Sequence, residues 1–146
     1  MRAFLFDTTV FVYAAGRSHP YRESCRAILE RAREDVKLGA TGVGVLHELA
    51  HITLRRTGDR GLARARAQQV AAICTEVYEC DSRDMDAALD LLVSHGQLDV
   101  ADAVTTATAI NRGIGAILSA DRDFDGIPGI ERVDPADEPA VTALVD

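Results

Sequence analysis

Residues 4–14, Phe-Leu-Phe-Asp-Thr-Thr-Val-Phe-Val-Tyr-Ala, decide the fold. Residues 3–6 form a short apolar run that reads as a strand. The segment that follows, TTVFVYAAG, reads as a short helix ending near Gly16, with its threonines placed to cap it. Asp7 stands at the junction. In an open α/β sheet, ligands bind at the carboxyl ends of the strands, so an acid in that place is a candidate for chemistry.

The pattern recurs downstream. Ala116-Ile117-Leu118 reads as a buried strand, and Asp121 follows it in AILSADRDFDGI. Between the two, helices dominate. His19-Pro20 opens one whose inward face is Tyr21, Cys25, Ile28, Leu29 and Ala32. Residues 37–41 read as a second strand. Residues 42–56 read as a helix with Val45, Leu46, Leu49 and Ile52 as its stripe, broken by Thr57-Gly58-Asp59. A helix over residues 61–74 follows, with Leu62, Val70 and Ile73 inward, then an extended link or strand at residues 77–80.

Asp81 or Ser82 caps the next helix, which carries acids in its first turn and Gly96 just past its end. Asp99 to Asn111 is another helix, stopped by Gly113. Residues 130–133 read as a last edge strand, and the acidic tail 134–146 carries no assignment. Strands alternating with helices predict a three-layer α/β/α sandwich around a short, mostly parallel sheet. The length of 146 residues predicts one domain.

Four acids fall where such a sheet would gather them: Asp7 and Asp121 after strands, Glu48 and Asp102 on helices. Carboxylates brought together without a counter-charge raise one another's pKa. A hard divalent cation with oxygen ligands removes that repulsion, which points to a Mg²⁺ or Mn²⁺ site for phosphodiester chemistry. Singly, each acid has a plainer role: a helix cap for Asp7, a first-turn dipole partner for Asp102, a turn residue for Asp121.

His47-Glu48-Leu49-Ala50-His51 also matches HExxH, which would make Glu48 the general base of a zinc protease. The extended form of that motif is absent, because Leu54 and Thr57 stand at its Gly and His positions. His19 and His95, the other histidines, have no diagnostic spacing to it.

The net charge of −7 runs against a nonspecific nucleic-acid binder, which is usually basic. Any RNA contact must come from a local patch, and Arg55, Arg56, Arg60, Arg64 and Arg66 supply one; the same residues also suit a solvated helix face. The hydrophobic content of 47% fits a globular chain, and no apolar run reaches the roughly 18 residues of a membrane span. The opening segment has Arg2 before apolar residues, but Asp7 interrupts its centre, so a cytoplasmic protein is expected rather than a secreted one. Cys25, Cys74 and Cys80 are odd in number and lack CxxC spacing, which excludes a disulfide framework and predicts buried thiols.

Taken together, these stretches resemble the PIN-domain nucleases, most closely the VapC-type ribonuclease toxins of bacterial toxin–antitoxin pairs. FLFDTTVFVYAA is similar to the family's apolar strand, acid and nearby hydroxyl residue, here Thr9. Glu48 in VLHELAHI matches the family's helical acid, and DVADAVTTATAINRG resembles its Asp-Ala pair opening a helix of small residues. ILSADRDFDGIPGI resembles the stretch that supplies Ser119 and Asp121, with Asp123 as an outer ligand.

The resemblance implies Mg²⁺-dependent hydrolysis of RNA, with Asp7 and Asp102 as main ligands and Glu48 and Asp121 holding a second ion or a water. It implies that Thr9 and Ser119 hydrogen-bond the ligands, and that a cognate antitoxin and a homodimer exist. Thr9 stands where Asn or Ser is more usual, and the histidines beside Glu48 open the site to adventitious Zn²⁺ or Mn²⁺. A reading from another class is an acidic α/β module that only docks a partner.

Overall fold

β1 (Leu5–Phe6) lies in the middle of a parallel sheet in the computed structural model, which describes residues 2–34 and 38–146. It pairs with β4 (Ala116–Leu118), Leu5 opposite Ile117, and β4 pairs with β5 (Glu131–Val133). On the other side a parallel bridge joins Leu5 to Ala40, just ahead of β2 (Thr41–Gly42), which pairs with β3 (Val77–Tyr78). The order is therefore β3-β2-β1-β4-β5, and every pairing among the described residues is parallel. All the carboxyl ends lie on one edge.

Helices make the crossovers from β1 to β4: α1 (Thr8–Ala15), α2 (Arg22–Glu34), α3 (Val43–Thr57), α4 (Arg60–Ile73), α5 (Ser82–Ser94) and α6 (Val100–Asn111); α7 (Glu138–Val145) follows the last strand. Aspartates start many of them. Asp59, Asp81, Asp99 and Asp137 each accept a backbone N–H of the first turn, and Asp81 and Asp84 form a reciprocal capping box. Gly58, at φ 69°, ends α3 in the left-handed conformation that β-carbons disfavour.

Strand side chains alternate between faces, and each face has its own core. Phe4, Phe6, Leu118 and Val133 pack with α1, α2, α3 and α7 on one side. Leu5 and Ile117 pack with Ala88 of α5, Ala103 and Ala107 of α6, and Phe124 on the other. This is the three-layer sandwich that the alternation of elements predicts. At the top of α3, a β-carbon on Gly44 would stand 3.0 Å from Val104 Cγ1, so a glycine lets α3 and α6 approach.

Several expectations need correction. The second strand begins at Thr41 rather than spanning residues 37–41, and residue 37 lies outside the described residues. Gly42 belongs to that strand and caps α3. Ala63 and Val70, not Leu62, are the buried residues of α4, and in α3 Thr53 is buried while Ile52 is only half-buried. A buried threonine escapes an apolar count; its hydroxyl is satisfied by Leu49 O at 2.8 Å. Cys25 and Cys74 are buried as expected, but Cys80 is half-exposed. The unassigned tail contains α7, whose Leu144 and Val145 reach the core.

One buried ion pair binds the second layer. Asp84, whose side chain is 2% exposed, receives both terminal nitrogens of Arg112, at 2.9 and 3.0 Å, and Asn111 Nδ2 at 2.8 Å. Arg112 also donates to Glu79 O at 2.7 Å and lies 5.1 Å from the Tyr78 ring centroid. The guanidinium holds the Asp84 carboxyl far below the usual carboxylate range.

Candidate functional site

Asp7 follows β1, and its N–H donates to Leu118 O at 3.1 Å, so the acid sits on the sheet's own ladder. Its side chain caps α1, accepting Thr9 N–H at 3.4 Å. Thr9 Oγ1 donates to it at 3.0 Å and Ser119 Oγ at 2.6 Å. All these donors converge on Oδ2; Oδ1 accepts none of them.

The hydroxyls also hold the loop after β4. Thr9 Oγ1 accepts Ala120 N–H at 3.1 Å, and Ser119 Oγ accepts Asp121 N–H at 3.0 Å. Asp121 in turn accepts Asp123 N–H at 2.9 Å, which starts a single 3₁₀ turn at Arg122–Phe124. Asp7 thus caps α1 and Asp121 caps the 3₁₀ turn, each just past the carboxyl end of a strand.

Asp102, in the first turn of α6, joins them. One carboxylate oxygen from each of Asp102, Asp121 and Asp123 lies within 4.8 Å of the others. Asp123, expected as an outer ligand, brings an oxygen to the same group. Asp7 and Glu48 act on the group by charge: Asp7 raises the pKa of both Glu48 and Asp102. Asp99 does the same to Glu48, Asp102 and Asp123, and sequence reasoning missed it. The signal was available, because residues 99 and 102 are i, i+3 neighbours on one helix face.

Burial is the first cause of the raised pKa of Asp7, Glu48 and Asp102. Glu48 is pushed up to about 7, with Asp7 and Asp99 adding to the burial. For Asp123 the neighbouring Asp121 charge comes first. No arginine or lysine pairs with any of these carboxylates among the described residues. Thr8, buried beside Glu48, works against the rise of that carboxyl through its hydroxyl. Clustered carboxylates with no protein cation among the described residues fit a hard divalent ion bound through oxygen.

The other candidates lie elsewhere. His47 and His51 are exposed and stack on each other with ring centroids 6.4 Å apart. Among the described residues no third ligand forms a metal-sized group with them. Arg55 and Arg56 occupy the last turn of α3, about 10 Å along the helix from Glu48 at 1.5 Å per residue. They are exposed, as are Arg60 and Arg64, while Arg66 is half-buried.

The raised carboxyls set a pH dependence. Between the ordinary carboxylate range and the raised values, the folded protein binds more protons than the unfolded chain, so stability falls as pH rises. Asp84 is shifted the other way and loses its contribution only in more acidic solution. In chelator, Tm is expected to fall between about pH 5 and pH 8. Excess Mg²⁺ should lift Tm most at the alkaline end. A metal-free Tm that is flat or rising over that window contradicts the crowding of these groups.

The sequence profile described as "PIN domain" matches residues 4–130. Ribonuclease VapC7 of Mycobacterium tuberculosis is 32% identical to this chain, over 97% of it and 98% of the relative. Mycobacterium tuberculosis VapC20, a Sarcin-Ricin loop cleaving toxin, superposes with a TM-score of 0.66 at 18% identity, covering 88% of this chain and 98% of that one. A toxin-antitoxin complex from Klebsiella pneumoniae gives 0.63 at 20% identity, covering 90% of this chain and 96% of the other.

Proposed function

Because this chain belongs to the PIN-domain family, we propose that it is a metal-dependent endoribonuclease and the toxin of a toxin–antitoxin pair. The observation that carries the reading is the cluster of Asp102, Asp121 and Asp123 beside Asp7 and Glu48, with no protein cation to balance it among the described residues.

In this reading Asp7 and Asp102 are the main ligands of Mg²⁺, or of Mn²⁺. Glu48 and Asp121 hold a second ion or orient a water, and Asp123 adds an oxygen at the same place. When bound, the cation polarises the phosphate and activates a water for attack. The chain's own work is positioning. Ser119 and Thr9 fix one oxygen of Asp7, and Arg132 fixes Ser119 by donating to its carbonyl oxygen at 3.0 Å. Glu48, half-buried on α3, would orient the attacking water through a carboxylate oxygen where it holds no second ion.

An antitoxin needs a surface. A groove of about 700 Å³ runs between α1, α2 and α4, with Phe11, Leu29, Val70 and Ile73 on its floor and Arg26 and Arg66 among its lining. Such a groove fits the apolar face of an amphipathic helix with acidic flanks. A homodimer belongs to the same reading. No helix among the described residues is long and apolar enough to cross a membrane.

Incubation with total RNA, with Mg²⁺ or with chelator, followed by mapping of new 5′ and 3′ ends, tests the reading. Discrete new ends are expected only with the cation. His47→Ala with His51→Ala should keep most of that cleavage, because neither exposed imidazole joins the carboxylate group. Cleavage lost in the double variant and restored only by zinc in the parent protein would return the site to HExxH chemistry.

A further inference from the structure

Beyond the carboxylates, the chain carries a group of stacked rings, one of which, Tyr21, reaches Asp134 just past β5. Tyr13 and His19 lie face to face, centroids 4.1 Å apart and planes 7° from parallel. Tyr21 stands 5.8 Å from each, its plane within 16° and 19° of theirs. Tyr13 and Tyr21 back onto the core, while His19 is exposed. Core packing accounts for the backs of the tyrosines. It does not account for an exposed imidazole laid flat on one of them.

The cluster is tied to the acidic site twice. Tyr13 is four residues after Thr9 on α1, so both stand on one face of the helix. Tyr21 Oη donates to Asp134 Oδ2 at 3.0 Å, and Arg132 donates to that oxygen at 3.4 Å and to Ser119 O at 3.0 Å. Ser119 is the residue that holds Asp7. Tyr21 N–H donates to His19 Nδ1 at 3.2 Å, so the neutral ring carries its proton on Nε2. Arg122, next to Asp121, is exposed on the same loop.

We propose that Tyr13, His19 and Tyr21 are a stacking platform that takes an unpaired base of the RNA beside the scissile phosphate. The inference rests on the ribonuclease reading. Single-stranded RNA is held by stacking bases on aromatic and imidazole planes, which is tolerant of sequence. It also answers the charge problem. A crowded carboxylate site repels the phosphate backbone, whereas the face of a base is neutral. His19 Nε2–H adds one donor for a base edge.

The test uses the full chain and a short single-stranded RNA carrying 2-aminopurine, titrated in chelator so that nothing is cut. His19→Ala and Tyr13→Leu should each weaken binding about tenfold or more, the usual effect of losing a stacking ring. Tyr13→Phe keeps the ring and should bind as the parent does. The slope of log K against log salt should not change, because no phosphate contact is removed. With Mg²⁺, KM should rise more than kcat falls.

His19 is exposed, so His19→Ala keeps the test open if Tyr13→Leu fails to fold. Parent-like binding and KM in a folded His19→Ala protein overturn the platform while leaving the nuclease reading intact. Absence of Mg²⁺-dependent cleavage by the parent overturns that reading instead, and the 2-aminopurine titration then judges the platform alone. A flattened salt slope in His19→Ala would make His19 a phosphate contact and overturn stacking.

Discussion

Asp102→Asn is expected to lower Mg²⁺-dependent RNA cleavage about a thousandfold or more, the kinetic equivalent of about 4 kcal/mol of lost charge stabilisation. The same change should hold or raise the Tm of the metal-free protein. Asp102 is 8% exposed, and burial together with Asp99, Asp121 and Asp7 pushes its carboxyl upward, so a neutral amide relieves repulsion. The backbone N–H of Asp102 still reaches Asp99, so α6 keeps its cap. Asp7→Asn should behave alike, its amide oxygen accepting from Ser119 and Thr9 as the carboxylate does. The measurements are a cleavage time course and thermal melting in chelator. Full activity in either variant removes that residue from the site. Lost activity with a Tm well below the parent means the damage is structural.

Arg112→Ala has the largest expected effect on stability, a loss of about 3–5 kcal/mol. The cause is the partner left behind. Asp84, 2% exposed, would keep Asn111 and its capping-box N–H but lose its only cation among the described residues. A buried carboxylate without its ion pair is costly, whereas replacing both partners by apolar residues of similar volume is often neutral. Arg112→Met with Asp84→Leu should therefore recover part of what Arg112→Ala loses. Arg112 follows the last turn of α6 and Asp102 lies in its first, so cleavage well below the melting transition should persist. Calorimetry of both variants decides. A loss under about 1 kcal/mol would mean that water replaces the guanidinium at Asp84.

The parts of the site that were legible in the sequence are those fixed by local order. Asp7 and Asp121 follow apolar runs that make strands under almost any reading, and parallel pairing of those strands places them together. Glu48 and Asp102 needed only a helix each. How near Asp123 comes to Asp102 and Asp121 was not legible, because it sits in a three-residue 3₁₀ turn with no periodicity. Asp99 was read only as the start of a helix, although the N-cap of α6 and a charge beside Asp102 are compatible roles for one side chain.

The Asp84–Arg112 pair was invisible for a different reason. Its partners are 28 residues apart, and Asp84 looked like one more first-turn acid satisfying a helix dipole. The aromatic cluster unites Tyr13 of α1 with His19 and Tyr21 across a turn, where no spacing rule applies. The arginines of α3 and α4 were the opposite case: a clear pattern in sequence, four of whose five members are exposed on the two helices.

The crowding of carboxylates at the sheet edge has a consequence for the protein's persistence in a cell. Proteases act on whatever fraction of a population is transiently open, and that fraction shrinks when a ligand binds only the closed form. A copy of this chain starved of its cation is held together against its own charge, so it opens more often and is cleared sooner. The ion that arms the protein would then also set its lifetime, and inactive copies would be removed without any dedicated signal.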